Sequence, residues 1–378
     1  MTGKRVMISI NASWNIINFR KGLISGLQAS GYQVVVVAPE DQYSPRLEGL
    51  GVRYIPIGMD KQGVSPSRDM LLLGQYLRIL KKEKPDVFLG YTAKPNIYGS
   101  LAARLLGIPV INNIAGLGTA FIKRGWLTNV VTRLYKIALR GSSTVFFQNP
   151  EDLALFVSER MVREDRARLL PGSGLDLSFF KPEGGTARED GEVRFLLVAR
   201  LLWDKGVREY VEAAEIVRRD HPNARFQILG FADVENRTAV PRSEIDRWAS
   251  EGTVEYLGHS DDVRPFNAAA DCAVLPSYRE GLPRVLLEAA AMGKPLIATD
   301  VPGCRHVVQD GKNGFLCAVR SSASLAEAMT KMIELSPQER KKLGDAARQG
   351  VELNFDENIV IERYLAAVRE ATGETAAA

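Results

Sequence analysis

Short apolar runs alternate with helical patterns along the whole chain, and this alternation constrains the fold more than any other feature. Val6–Ile10, Val34–Ala38, Val52–Ile55, Val87–Leu89, Val110–Asn112 and Val145–Phe147 read as strands. Between them lie the amphipathic stretches Arg20–Ser30, Arg68–Lys82 and Asn96–Leu106. Such alternation predicts α/β structure, a parallel sheet with helices on both faces. Gly31 and Gly107 stand where two of those helices should stop. A second series runs through Val193–Ala199, Phe226–Leu229, Val254–Leu257, Cys272–Leu275 and Pro295–Ala298. The stretch between the two series, Pro171–Asp190, is rich in Gly, Pro, Ser and charge and reads as a linker. With 378 residues the chain is too long for one core. The expected organisation is a Rossmann-like domain over 1–170, a linker over 171–190 and a second Rossmann-like domain over 191–355.

The first strand is followed by N-A-S-W-N-I-I-N-F-R-K-G at 11–22, read as a loop. A dinucleotide fold would place G-x-G-x-x-G here, and neither half opens with that turn, which argues against an NAD dehydrogenase. Cys272, Cys304 and Cys317 are too few and too scattered for a disulfide framework or a Cys-x-x-Cys metal site, so a reducing cytosol is expected. No signal peptide is expected ahead of the first strand, and no apolar run approaches the roughly 20 residues that span a bilayer.

Charge is unevenly spread. Residues 1–170 carry 23 Lys and Arg against 12 Asp and Glu, whereas 171–378 carry 26 against 33. No carboxylate falls between Asp86 and Glu151, yet Lys94, Arg104, Lys123, Arg124, Arg133, Lys136 and Arg140 do. Interleaved with Phe121, Ile122, Trp126, Leu127 and Val130, these cations suit an anionic membrane surface, with Lys123, Arg124 and Trp126 the candidate contacts on a helix over Phe121–Arg140. An ordinary core helix with a basic outer face fits the same pattern. No helix-turn-helix, RNP or zinc-finger pattern points to nucleic acid.

The richest stretch is L-P-S-Y-R-E-G-L-P-R-V-L-L-E at 275–288. A buried strand ends at Pro276, and Pro283 is placed to be the first helical residue, where its missing N–H costs nothing. Gly281 admits close backbone approach, and the unpaired amides of a helix start favour an anion. Glu280 at that mouth and Glu288 along the same helix can each accept from hydroxyls. A helix start flanked by two carboxylates suits a nucleotide-sugar, although two glutamates eight apart are, taken alone, an ordinary pair of solvated surface acids.

This segment resembles the E-x7-E signature of the retaining family-4 glycosyltransferases, whose GT-B architecture sets two Rossmann-like domains facing across a cleft. V-A-R-L-L-W-D-K-G at 198–206 is similar to the segment with which that family holds the donor diphosphate, and P-G-S-G-L-D at 171–176 to its interdomain G-x-G-x-D. The resemblance implies that Arg200 and Lys205 grip the diphosphate and, with Glu280, form the catalytic set. It also implies that Glu280 contacts donor hydroxyls, Glu288 the ribose, and Gly281 and Leu282 offer backbone amides. It implies that the last helix, within 356–372, crosses back to the first domain. Without a D-x-D motif no metal and no cofactor is expected, and no histidine in the first half is available as a general base. His306 replaces the glutamate usual in the family's G-C-x-E and reads as a helix-surface residue; His259, at a strand end, is placed near the nucleobase. The loop Phe231–Pro241 is where donor specificity is expected.

In overall pattern the chain is similar to bacterial family members that add a sugar to an undecaprenyl-diphosphate-linked saccharide. That implies a hexose or N-acetylhexosamine donor linked to UDP, with N-acetylgalactosamine first, and an enzyme on the cytoplasmic membrane face. Ser13, Asn15, Arg20 and Asn113 are then the candidate acceptor contacts, while Trp14, Ile16, Ile17 and Phe19 either meet lipid or are buried beneath the first helix. The rival readings are a GT-B enzyme with a soluble acceptor and a non-catalytic nucleotide-sugar-binding module.

Overall fold

The structure is a computed structural model and describes residues 3–60, 65–116, 126–182, 192–232, 236 and 238–374. The chain divides into two units, one built from 1–174 with 357–378 and the other from 175–356.

The first unit holds strands β1 (Arg5–Ser9), β2 (Gln33–Ala38), β3 (Arg53–Pro56), β4 (Val87–Tyr91), β5 (Val110–Ile114), β6 (Thr144–Phe147) and β7 (Ala167–Leu169). They pair in parallel, in the order β3-β2-β1-β4-β5-β6-β7. Its helices are α1 (Ser13–Phe19), α2 (Lys21–Ala29), α3 (Pro66–Glu83), α4 (Ser100–Leu105), α5 (Trp126–Leu139) and α6 (Pro150–Ser158). Successive strand residues point to opposite faces, and both faces are covered. Val6, Ile8, Val34 and Val36 pack with Leu23 and Leu27 of α2, whereas Met7, Val35 and Val37 pack with Leu72 and Tyr76 of α3. The closing helix of the chain (Glu357–Thr372) also belongs to this unit, with Val360, Tyr364 and Val368 buried in the α2-side core.

The second unit contains α7 (Val207–Asp220), α8 (Arg242–Ser250), α9 (Arg264–Ala269), α10 (Arg284–Ala291), α11 (Ser322–Glu334) and α12 (Pro337–Asn354). Its parallel sheet comprises β8 (Arg194–Val198), β9 (Arg225–Leu229), β10 (Glu255–Tyr256), β11 (Cys272–Leu275), β12 (Leu296–Thr299) and β13 (Gly314–Cys317), ordered β10-β9-β8-β11-β12-β13. In each sheet the order reverses beside its first strand, between β1 and β4 and between β8 and β11. Ligands of open parallel sheets gather outside the strands' carboxyl ends at such points.

Several local readings change. Asn11–Gly22 is not a loop: α1 occupies its middle, with Ser13, Ile16, Ile17 and Arg20 buried. Leu175 and Phe180 sit in the second unit's core, so the stretch after Gly174 is packed rather than slack. Asn96–Leu106 begins with one π-helical turn, Pro95–Gly99, before α4. Pro283 is the N-cap of α10 instead of its first residue, and His306 lies in a turn instead of on a helix.

Candidate functional site

The second unit's switch point gathers the donor-side candidates. After β8 the chain passes through exposed Arg200 into a 3₁₀ turn, Trp203–Lys205. That turn ends at Gly206 with φ 71°, where a Cβ would lie 2.1 Å from the Pro276 carbonyl oxygen, so a residue without a side chain seats the turn against the end of β11. The Tyr278 N–H donates to the Asp204 carbonyl at 2.9 Å, and the Tyr278 hydroxyl donates to Glu209 Oε1 on α7 at 2.7 Å. Thr238 adds a third tie through its hydroxyl to Asp204 Oδ2, at 3.3 Å. These bonds tie the loop after β11 to the turn after β8 and to α7, and the segment after β9 to the same turn. They bring Lys205 Nζ onto Glu280 Oε1 as an ion pair across 75 positions of sequence.

Gly281 is buried and Leu282 packs on the unit's core. Behind them Gly303, at φ 85°, lies so close that a Cβ would stand 2.5 Å from Gly281 O and 2.7 Å from Glu280 O. The helix α10 then opens, with first-turn amides that have no intrahelical acceptor. Glu288 is 9% exposed and accepts from Arg284 Nε at 2.8 Å. Burial pushes its carboxyl above the ordinary carboxylate value, against the pull of the Arg284 guanidinium. Past β9 and β10, the rings of Phe231 and His259 stack 4.4 Å apart at 26°, a flat aromatic pair on the same edge of the sheet. Arg200, Lys205, Glu280 and the head of α10 therefore share the carboxyl ends of adjacent strands. Asp204, Thr238, Tyr278 and Gly303, which hold this arrangement, carry no signal in their sequence spacing.

The acceptor-side candidates lie in the first unit and divide by burial. Ser13 is fully buried; its hydroxyl meets Pro39 O at 3.3 Å and the Ser44 hydroxyl at 3.0 Å, and its N–H donates to Asp41. These bonds of its polar groups fix the start of α1. Asn113 is also interior, 1% exposed, with Nδ2 donating to the Tyr364 hydroxyl at 2.8 Å and Oδ1 without a hydrogen-bond partner. Asn15 is half-buried and donates to Asn11 Oδ1. Arg20 is 6% exposed, with its guanidinium 4.5 Å over the Tyr91 ring and Nη1 donating to the Phe19 carbonyl. Its Nε has no hydrogen-bond partner, and no acid pairs with it among the described residues. A buried cation without a counter-charge is costly, and an anion is the complement that removes the cost. Ile16 and Ile17 are buried; Trp14 packs at the core's margin. Lys123 and Arg124 lie outside the described residues, as does the side chain of Trp126.

Two family models match the chain in tandem: a glycosyl transferase 4-like domain over residues 19–172 and the glycosyl transferases group 1 domain over 183–350. With these two glycosyltransferase domains the chain is a glycosyltransferase, and its two parallel-sheet Rossmann-like units have the GT-B fold of its structural neighbours. It is 28% identical, over 96% of its length and 97% of the relative's, to the N,N'-diacetylbacillosaminyl-diphospho-undecaprenol alpha-1,3-N-acetylgalactosaminyltransferase of Campylobacter jejuni. It is 26% identical to the UDP-Gal:alpha-D-GlcNAc-diphosphoundecaprenol alpha-1,3-galactosyltransferase of Escherichia coli, covering 82% of this chain and 86% of that one. Among solved structures, Anabaena HepE in complex with UDP and glucose is similar in fold, with TM-score 0.78 and 18% identity over 97% of this chain and all of the other.

Proposed function

We propose that the protein moves a hexose or N-acetylhexosamine, N-acetylgalactosamine first, from UDP to a polyprenyl-diphosphate-linked saccharide with retention of configuration. The observation that carries this reading is the Lys205–Glu280 pair at the head of α10, a cation for the diphosphate beside a carboxylate for sugar hydroxyls. Similarity along nearly the whole chain to two enzymes named for diphosphoundecaprenol acceptors supports the acceptor class.

In this reading Arg200, Lys205 and the first amides of α10 offset the charge that develops on departing UDP, and no metal is needed. Glu280 orients the sugar and Glu288 the ribose. The acceptor hydroxyl attacks on the face that UDP leaves; the new C1–O bond forms as the C1–O(phosphate) bond breaks, and the hydroxyl proton passes to the leaving phosphate oxygen. Arg20 receives the acceptor diphosphate, with Asn15 beside it.

The acceptor's lipid implies a membrane surface, on the cytoplasmic face. No helix among the described residues is long and apolar enough to cross a bilayer. The described contact candidates are Leu105 and Ile137, 70% and 55% exposed, beside exposed Arg104, Arg133 and Arg140. Arg104 donates to the Ile137 carbonyl, which makes this one patch.

The test is UDP release across a panel of UDP-sugars, with a short-chain prenyl-diphosphate sugar or a soluble oligosaccharide as acceptor. Release stimulated by the prenyl-linked acceptor alone supports the proposal. Stimulation by the soluble acceptor alone supports its rival.

A further inference from the structure

A cavity of about 130 Å³ opens in the first unit, lined among others by Met59, Asp60, Arg68, Asp69, Gln75 and Lys94. It lies beyond the carboxyl end of β3, between the head of α3 and the segment leaving β4. Asp69 is 4% exposed, and its carboxylate takes an ion pair from Lys94 at 2.9 Å and a hydrogen bond from the Tyr98 hydroxyl at 3.0 Å. Asp60 and Arg68 form a second pair at 3.0 Å. The Gln75 amide accepts from the Gly58 N–H and donates to the Gly58 carbonyl. Met59, Leu71 and Leu72 supply apolar wall.

The segment that carries Lys94 is unusual in two further ways. Thr92, a β-branched residue, sits at φ 64°, and the chain then enters the π-helical turn Pro95–Gly99. Both are conformations that cost energy and gather at functional sites.

We propose that this cavity is the subsite for the sugar ring of the acceptor, a neutral pyranose, while Arg20 holds the diphosphate that follows it. The inference rests on the acceptor class proposed above. Two acids and two bases around the cavity cancel, so it favours a polyol over an anion, and convergent carboxylate and amide groups on an apolar wall are what hydroxyls and C–H faces of a pyranose require. Arg20 is unbalanced and favours the anion. Tyr91, under the Arg20 guanidinium, and Lys94, on the cavity wall, are three residues apart in the segment leaving β4, with Arg20 on the α2 face of the sheet and the cavity on its α3 face.

The test is calorimetric binding of a short-chain prenyl-diphosphate N-acetylhexosamine, of the same prenyl diphosphate without sugar, and of UDP. Leu71→Trp, at a position 68% exposed, fills the cavity mouth without touching the core, and Arg68→Ala removes the outer ion pair. Each is expected to weaken the sugar-bearing probe roughly tenfold. Binding of the sugar-free probe and of UDP should stay within about twofold. Equal losses on both prenyl probes, or none, overturn the subsite. Wild-type protein that binds UDP but neither prenyl probe overturns the acceptor class as well, so the two failures are distinguishable.

Discussion

Gly303→Ala separates the geometry of the donor site from the stability of the fold. At φ 85° an L-residue is strained, which costs about 1–2 kcal/mol. The new Cβ would also stand 2.5 Å from Gly281 O, where ordinary contact begins at 3.4 Å. The Glu280–Gly281 backbone must therefore retreat by about 0.9 Å, and misplacement on this scale costs on the order of 10²-fold in turnover. The control is Gly311→Ala, at φ 70° with nothing within 4 Å of its Cβ: the same backbone strain without the collision. Urea unfolding should show a loss of stability in both variants, larger in Gly303→Ala because of the added collision, while steady-state UDP release should fall only in Gly303→Ala, mainly in kcat. Wild-type kcat in a folded Gly303→Ala protein, or equal losses of activity in both variants, would refute the argument that this loop must be held where it is.

Other perturbations test separate parts of the account. Lys205→Met should lower kcat/KM by roughly 10²-fold or more, since it removes charge from the departing diphosphate; a loss under about threefold contradicts that role. Because burial raises the folded-state pKa of Glu288 above its unfolded value, its contribution to stability is greatest at low pH. That contribution is lost as pH rises from the unfolded pKa through the folded one. Glu288→Gln should flatten this slope, so its stability relative to wild type improves as pH rises above the ordinary carboxylate value in urea titrations; a parallel pH profile would contradict the burial argument. Turnover should be unchanged by EDTA, and activity abolished by EDTA and restored by Mn2+ would overturn the metal-free charge offset. Replacing Arg104, Arg133 and Arg140 with Gln should weaken flotation with anionic vesicles roughly 10²-fold, at about 1 kcal/mol per cation, and unchanged flotation would exclude that patch.

What the sequence disclosed depended on how strongly each element's burial patterned its residues. β1, β2 and β11 are covered on both faces and stand out as continuous apolar runs. β7 and β13 are short edge strands with half-exposed residues, and A-R-L and G-F-L-C carry too little pattern to announce them. In α1 the signal was present: Ser13, Ile16, Ile17 and Arg20, the buried positions, fall at i, i+3, i+4 and i+7. A serine and an arginine on that face hide it from a search for apolar residues alone. Glu280 and Lys205 were nameable from motif resemblance, but their contact depends on parallel pairing between strands distant in sequence. Arg20 over Tyr91, and Asp69 against Lys94, are products of the same kind of tertiary pairing and left no mark on local spacing.

The most direct measurement of the central claim is analysis of the product formed from a UDP-N-acetylhexosamine and a short-chain prenyl-diphosphate sugar. The account predicts one UDP released per acceptor extended by a single sugar, with an α linkage retaining the donor's configuration by NMR. A folded protein that binds UDP-sugar yet forms no extended acceptor with any donor in the panel, or a product of inverted configuration, would contradict it.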